Sequence, residues 1–294
     1  MGMIFHQPVL KQEVAAWFNL RDNGRIYCDC TLGGGGHMLA LLKATKKARF
    51  IGLDWDPEAI LHARENLKGY EDRVTLVEDN FINLGLNLDR LGVKTVDGVL
   101  FDLGVSYHQL KTPGRGFSYA NDGPLTMQMS PRSSGLMERL NQVSRDDMIR
   151  ILKVYGDVYN ARKIGDIIWE NRRRIQTTFE LRGLIEQSVP SRFLNKNLHK
   201  VFQALRIWVN NELENLQTGI TFSVERLGKG GRIVVIAYHS GEDRWVKNFF
   251  RAAEQTGILK RLHKKVIKPT ADEVLQNPAS RSAKMRVAEK CVTS

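Results

Sequence analysis

At 294 residues and 42% hydrophobic content the chain is long enough to bury a sizeable core, and it suits an α/β core carrying an insertion. Lys and Arg outnumber Asp and Glu by 44 to 32, for a formal charge of +12, which favours a polyanionic partner, with nucleic acid ahead of an acidic membrane. Three cysteines, Cys28, Cys30 and Cys291, exclude a disulfide framework, and neither a zinc-spaced Cys/His cluster nor a membrane-length apolar run is present, so a cytoplasmic protein with no metal and no membrane association is expected.

The segment HQPVL from His6 leads into a short amphipathic helix over 11–18. Residues 25–31 (RIYCDCT) read as a first strand whose alternation points Cys28 and Cys30 to one face as buried thiols. A loop of four glycines, Gly33 to Gly36, follows, and the apolar spacing of 37–45 predicts a crossover helix. Residues 49–54 (RFIGLD) form a second strand; Asp56 and Pro57 then suit the N-cap and first position of a helix. Third and fourth strands lie at 74–77 and 96–101, followed by Glu78-Asp79-Asn80-Phe81 and by Asp102. Near-continuous apolar strands alternating with helices predict a parallel sheet covered on both faces.

Ligands of such sheets bind beyond the carboxyl ends of the strands, where the glycine loop, Asp54, Asp79 to Phe81 and Asp102 all fall. Glycines without Cβ let a ligand lie against the main chain beside the free N–H groups of the following helix. Asp54, 21 residues past Gly33, has the spacing of an acid that takes two ribose hydroxyls. NAD and S-adenosylmethionine both fit this pattern. The dinucleotide fingerprint fails, because Met38 or Leu39 stands where its last glycine belongs, and this favours a methyltransferase. Gly35→Val is expected to abolish cofactor binding without unfolding the chain.

From His108 to about Glu212 the chain has little strand character. Helices are predicted at 145–155, with Ser144 as N-cap, at 159–171 and at 178–187, with one or two more over 197–227. The expected organisation is a core of residues 1–107 and 213–294 with a helical insertion, 108–212, that recognises the substrate. The insertion holds 17 Lys and Arg against 10 acids, densest at Arg172-Arg173-Arg174; residues 260–290 hold nine against three. Two such regions suit a phosphate backbone. The core resumes with a strand at 230–237 (GGRIVVIA) and a helix at 244–253. Between them His239 reads as a structural histidine first and a substrate contact second.

The segments HQPVL, DCTLGGGGH (from Asp29), GLDWDP (Gly52), DGVLFDLGVS (Asp97), RGFSY (Arg115), DGPLTMQM (Asp122), FQALRIWVNNEL (Phe202), GGRIVVIAYHSGEDR (Gly230) and the NPASRSAKMRVAEK tail run in order over nearly the whole chain. Together they resemble the bacterial small-subunit ribosomal RNA cytosine-N4 methyltransferases. The resemblance implies a class I, Rossmann-like, parallel-rich sheet with an inserted all-helical domain. It also implies S-adenosylmethionine as cofactor, and small-subunit ribosomal RNA, free or in an assembled particle, as substrate. Its cofactor residues fall on Gly35, Gly36, His37, Asp54, Phe81, Asp102 and Gln109. The chain departs from the family's pattern at Thr126 (usually an acid), Gln128 (arginine), Tyr107 (serine), Gly241 (leucine) and Tyr238 (phenylalanine).

Methyl transfer to an amine needs positioning and an acceptor for the charge that develops on nitrogen. Asp102 is the candidate acceptor. A stacked cytosine cannot present N4 in line, so an unpaired base stacked on an aromatic is expected, with Tyr107, Phe117 and Tyr119 as candidates and Trp208 better suited to core packing. Two other readings stay open: an enzyme of this fold acting on another nucleic acid or a small molecule, and a non-catalytic RNA-binding assembly protein that keeps the cofactor pocket.

Overall fold

A computed structural model describes residues 8–291; His6 and Gln7 of the HQPVL segment lie outside them. The elements run α1 (Lys11–Phe18), β1 (Ile26–Asp29), α2 (Gly36–Lys43), β2 (Arg49–Asp54), α3 (Pro57–Asn66), β3 (Val74–Glu78), α4 (Leu84–Arg90) and β4 (Val96–Asp102). Helices follow: α5 (Tyr107–Lys111), α6 (Leu136–Gln142), α7 (Arg145–Gly156), α8 (Ala161–Asn171), α9 (Thr178–Ser188), α10 (Ser191–Asn210) and α11 (Glu212–Arg226). The chain closes with β5 (Leu227–Ala237), α12 (Ser240–Gln255), β6 (Leu259–Arg261), α13 (Ala271–Gln276) and β7 (Lys284–Lys290). It divides into two compact units, one of residues up to Gly104 and from Glu214 onward, the other Val105–Leu213.

In the first unit the strands form one sheet in the order β3-β2-β1-β4-β5-β7-β6. The first five are parallel, as continuous burial along β2 and β4 requires, and the order reverses direction between β1 and β4. The class I methyltransferase sheet expected from the sequence is thus present. The sheet is parallel-rich, as expected, and antiparallel only at one edge, where β7 pairs with both β5 and β6. That strand lies in the tail that reads as a basic region, and many of its cations are spent inside the fold. Arg261 Nε sits 2.7 Å from Glu254 Oε2, Arg286 Nε 2.7 Å from Asp243 Oδ1, and Lys290 Nζ donates to Val224 O at 3.1 Å. Lys260, Lys264, Lys265 and Lys268 stay exposed.

Local chemistry explains the helix starts. Asp56 accepts the Glu58 N–H at 3.1 Å with Pro57 at the first position of α3, and Ser144 accepts the Asp147 N–H at 3.1 Å to open α7. Thr177 and Glu180 form a reciprocal capping box on α9. The core beside β1 is aromatic: Tyr27 lies 5.4 Å from Phe18 and 5.6 Å from Phe50, ring centroid to centroid. Each such pair adds about 1 kcal/mol beyond the area it buries. Cys28 and Cys30 are both buried, and burial raises both thiols.

The second unit is helical. Its helix α7 packs on α8 and α10, and α9 packs on the same two. Asn211, in the left-handed conformation, separates α10 from α11, so the apolar-periodic stretch ending near Leu227 is two helices.

Candidate active site

Gly33 (φ 51°) and Gly35 (φ 79°) occupy the left-handed region, which turns the chain back on itself between β1 and α2. The two glycines are not equivalent. A Cβ on Gly33 would meet nothing within 4 Å, whereas one on Gly35 would lie 3.3 Å from Leu67 Cδ1 and 3.4 Å from Ala63 Cβ. Gly35 therefore packs against α3 and the residue after it as well as turning the loop. A valine there would add a packing cost to its left-handed backbone, beside the loss of cofactor binding expected of it. Main-chain bonds from Leu32 N to Leu53 O (3.0 Å) and from Gly35 N to Leu32 O (2.8 Å) fasten the loop, and α2 begins without a side-chain cap.

Asp54, at the end of β2, accepts the Gly33 N–H on Oδ2 at 2.8 Å and the Asp56 N–H on Oδ1 at 2.9 Å. Burial outweighs these bonds and pushes its carboxyl up to about 6. Further donors, such as a pair of sugar hydroxyls, would relieve that cost. Asp29 lies deeper, 2% exposed, and burial pushes it up to about 7 against the pull of His37 and the Thr31 N–H. Asp79 differs. It accepts from Asn80 N, Asn83 Nδ2 and Asn87 Nδ2 at 2.8–2.9 Å. Against burial, the bonds from Asn87, Asn83 and Asn80 hold its carboxyl below the usual range, so Asp79 anchors its turn.

His37 and Asp102 come together at the ends of α2 and β4. His37 Nε2 stands 3.3 Å from Asp102 Oδ2, without the alignment of a hydrogen bond, and both buried ring nitrogens lack a hydrogen-bond partner among the described residues. Asp102 Oδ1 accepts the Tyr238 hydroxyl at 2.7 Å, and the Asp102 N–H donates to Thr31 Oγ1 at 2.6 Å. Phe81, in a single turn after β3, meets Phe101 edge-on at 5.3 Å. Gly219 of α11 makes room for it, since a Cβ there would fall 2.4 Å from Phe81 Cδ2.

These residues fit S-adenosylmethionine on the structure's own terms: buried imidazole nitrogens without partners, a carboxylate held against the glycine loop, and that loop open at Gly33. The sequence model of the MraW methylase family matches residues 3–291. The chain belongs to this family. Among its relatives is "Ribosomal RNA small subunit methyltransferase H" of Coprothermobacter proteolyticus, 41% identical over 98% of this chain and 97% of the relative. The protein of the same name from Kosmotoga olearia is 43% identical over 97% of each. Among solved structures, an rRNA methylase from Streptococcus thermophilus aligns with a TM-score of 0.45 at 11% identity, covering 96% of this chain and 94% of that one.

Other residues singled out in this family member are placed differently. His239 caps α12: its Nδ1 accepts the Gly241 and Glu242 N–H groups at 3.2 and 3.4 Å, and its Nε2 lies 3.1 Å from Glu242 Oε1. That is the structural role ranked first for it. In the second unit, Gln109 is buried and its Oε1 accepts the Ser106 N–H at 3.0 Å within a capping box. Phe117 is buried, and Tyr119 meets Phe202 edge-on at 5.4 Å. Tyr107 is 42% exposed, with the Lys111 ammonium 5.5 Å from its ring centre. Arg172 folds back over Trp169 at 4.0 Å, which leaves Arg173 and Arg174 as the exposed part of the triple arginine. Thr126 and Gln128, the neutral substitutes, bond inside their own loop, to Arg115 O (3.0 Å) and Ser133 O.

The Tyr238–Asp102 bond and the Gly219 notch are the site features that sequence reading missed. Asp79 carried a visible signal, since Asn83 and Asn87 follow it at helical spacing.

Proposed function

We propose that the protein transfers a methyl group from S-adenosylmethionine to the exocyclic N4 amine of a cytidine in small-subunit ribosomal RNA. The observation that carries this reading is the convergence of the Gly33–Asp54 bond and the His37–Asp102 pair at the strand ends of a MraW methylase family member. The cofactor supplies an electrophilic methyl on a sulfonium. Gly35 and Gly36 give it close approach to the main chain, Asp54 takes the ribose hydroxyls and Phe81 lines the adenine slot. His37 and Asp102 take its polar end, and Gln109 keeps the cofactor role that the resemblance implies. With Asp102 Oδ1 engaged by Tyr238, Oδ2 is the atom left to meet the cofactor, and the carboxylate's charge favours the positive charge that develops on the attacking amine.

The helical unit recognises RNA. Its excess of Lys and Arg suits phosphates, and Tyr107 is the aromatic best exposed to stack on an everted base, ahead of buried Phe117 and packed Tyr119. The substrate is small-subunit ribosomal RNA, free or within an assembled particle, and the protein works in the cytoplasm. Among the described residues no helix is long and apolar enough to cross a membrane. The test is incubation of the protein with labelled S-adenosylmethionine and immature small subunits, naked ribosomal RNA or DNA. Label recovered as N4-methylcytidine in ribosomal RNA supports the reading. Label elsewhere, or cofactor binding without transfer, refutes it.

A further inference from the structure

The Tyr238 hydroxyl meets Asp102 Oδ1 at 2.7 Å. Sheet register makes the meeting possible. Asp102 pairs with Ile236 across the parallel β4–β5 ladder, and Tyr238 follows Ile236 by two residues, where an extended chain returns to the same face. The turn beneath is stiff: Glu242 Oε2 accepts the N–H groups of both Tyr238 and His239, at 2.9 and 3.2 Å. The ring also lies close to Gly104, where a Cβ would be 3.5 Å from Tyr238 Cδ2.

Three bonds or approaches therefore define the Asp102 end of β4: the phenol on Oδ1, Thr31 on the N–H, and His37 3.3 Å from Oδ2. We infer that Tyr238 is a positioning residue, which fixes the Asp102 carboxylate in advance so that Oδ2 alone is presented beside His37 to the cofactor. A carboxylate already ordered loses less freedom when a ligand arrives, so the hydroxyl contributes to cofactor affinity without touching the ligand. Its donor state is secure. Burial first, then the negative charge of Asp102 and the bond to it, with the charges of Glu242 and Glu273 adding to them, raise its ionisation well above the usual range.

The inference rests on reading Asp102 as a cofactor contact, and two variants of the full-length protein separate the two claims. Calorimetric titration with S-adenosylhomocysteine, at equal folded fraction, is expected to show Tyr238→Phe binding about three- to tenfold more weakly, the cost of ordering one side chain on binding. Because the bond exists before any ligand binds, the melting temperature of the ligand-free variant falls modestly, and the KM for S-adenosylmethionine rises by a larger factor than kcat falls. Asp102→Asn is expected to weaken the same titration at least as much. Unchanged affinity in Tyr238→Phe alone overturns the positioning role. Unchanged affinity in Asp102→Asn overturns the cofactor contact on which it stands. A lowered melting temperature with unchanged affinity assigns Tyr238 to packing and likewise overturns the inference.

Discussion

Gly33 donates its backbone N–H to Asp54 Oδ2 at 2.8 Å, so the glycine loop and the strand-two acid are joined directly before any ligand is involved. The bond holds the carboxylate at the loop, and burial leaves it at about 6. A ligand that donates hydroxyls to this group favours its charged form. Affinity for S-adenosylhomocysteine should therefore be flat above neutrality and fall below about 6, approaching tenfold per pH unit for a single coupled proton. Calorimetry from pH 5 to pH 8 checks this, and Asp54→Asn should bind weakly with the pH step abolished.

The same burial has an opposite sign for stability. Asp54 and Asp29 are raised, to about 6 and about 7, so the folded state holds protons that the unfolded chain has already released. Their contribution is fully present below about 4, the unfolded value, and is lost as pH rises through those two values. The ligand-free protein should melt lower at pH 8 than at pH 5, and Asp29→Asn should flatten the dependence. A slope unaltered in that variant removes Asp29 as its source.

Replacing the two loop glycines should give different phenotypes. Gly33→Ala meets open space and pays only for its left-handed backbone, about 1–2 kcal/mol, so it should fold while binding cofactor poorly. Gly35→Val adds contacts with Leu67 and Ala63 to that cost, about 1–3 kcal/mol more, and should lose thermal stability together with binding. Thermal melts of both, with and without S-adenosylhomocysteine, make the comparison.

His239 is expected to matter to the fold more than to the substrate. His239→Ala removes the acceptor for the Gly241 and Glu242 N–H groups, at a cost of about 1 kcal/mol, and His239→Asn, a good capping residue, should restore most of it. RNA affinity measured at equal folded fraction should match the parent in both. A specific loss of RNA binding in the asparagine variant would return His239 to the substrate site.

Within the helical unit, Tyr107→Ala should weaken RNA binding with little change in melting, because the ring is 42% exposed. Phe117→Ala, which empties a buried site, should instead destabilise the protein by about 3–5 kcal/mol. Melting curves and RNA filter binding on the same preparations distinguish these outcomes; the reverse pattern would exchange the two roles.

Apolar runs and turn residues determined the parallel strands, the Asp56–Pro57 and Ser144 helix starts, and the placing of Asp54 and Asp102 at strand ends, because strand period and capping act over a few residues. The antiparallel β7 was hidden because its cations mask a strand whose apolar residues Met285, Val287 and Ala288 find their partners only in the folded sheet. Contacts between residues far apart in the chain were equally beyond local pattern. Only the tertiary structure gave Asp102 its Tyr238 partner, 136 positions away, and put Gly219 under Phe81. Gly33 and Gly35 look alike in the sequence; only packing against Leu67 and Ala63, which no backbone preference encodes, distinguished the two.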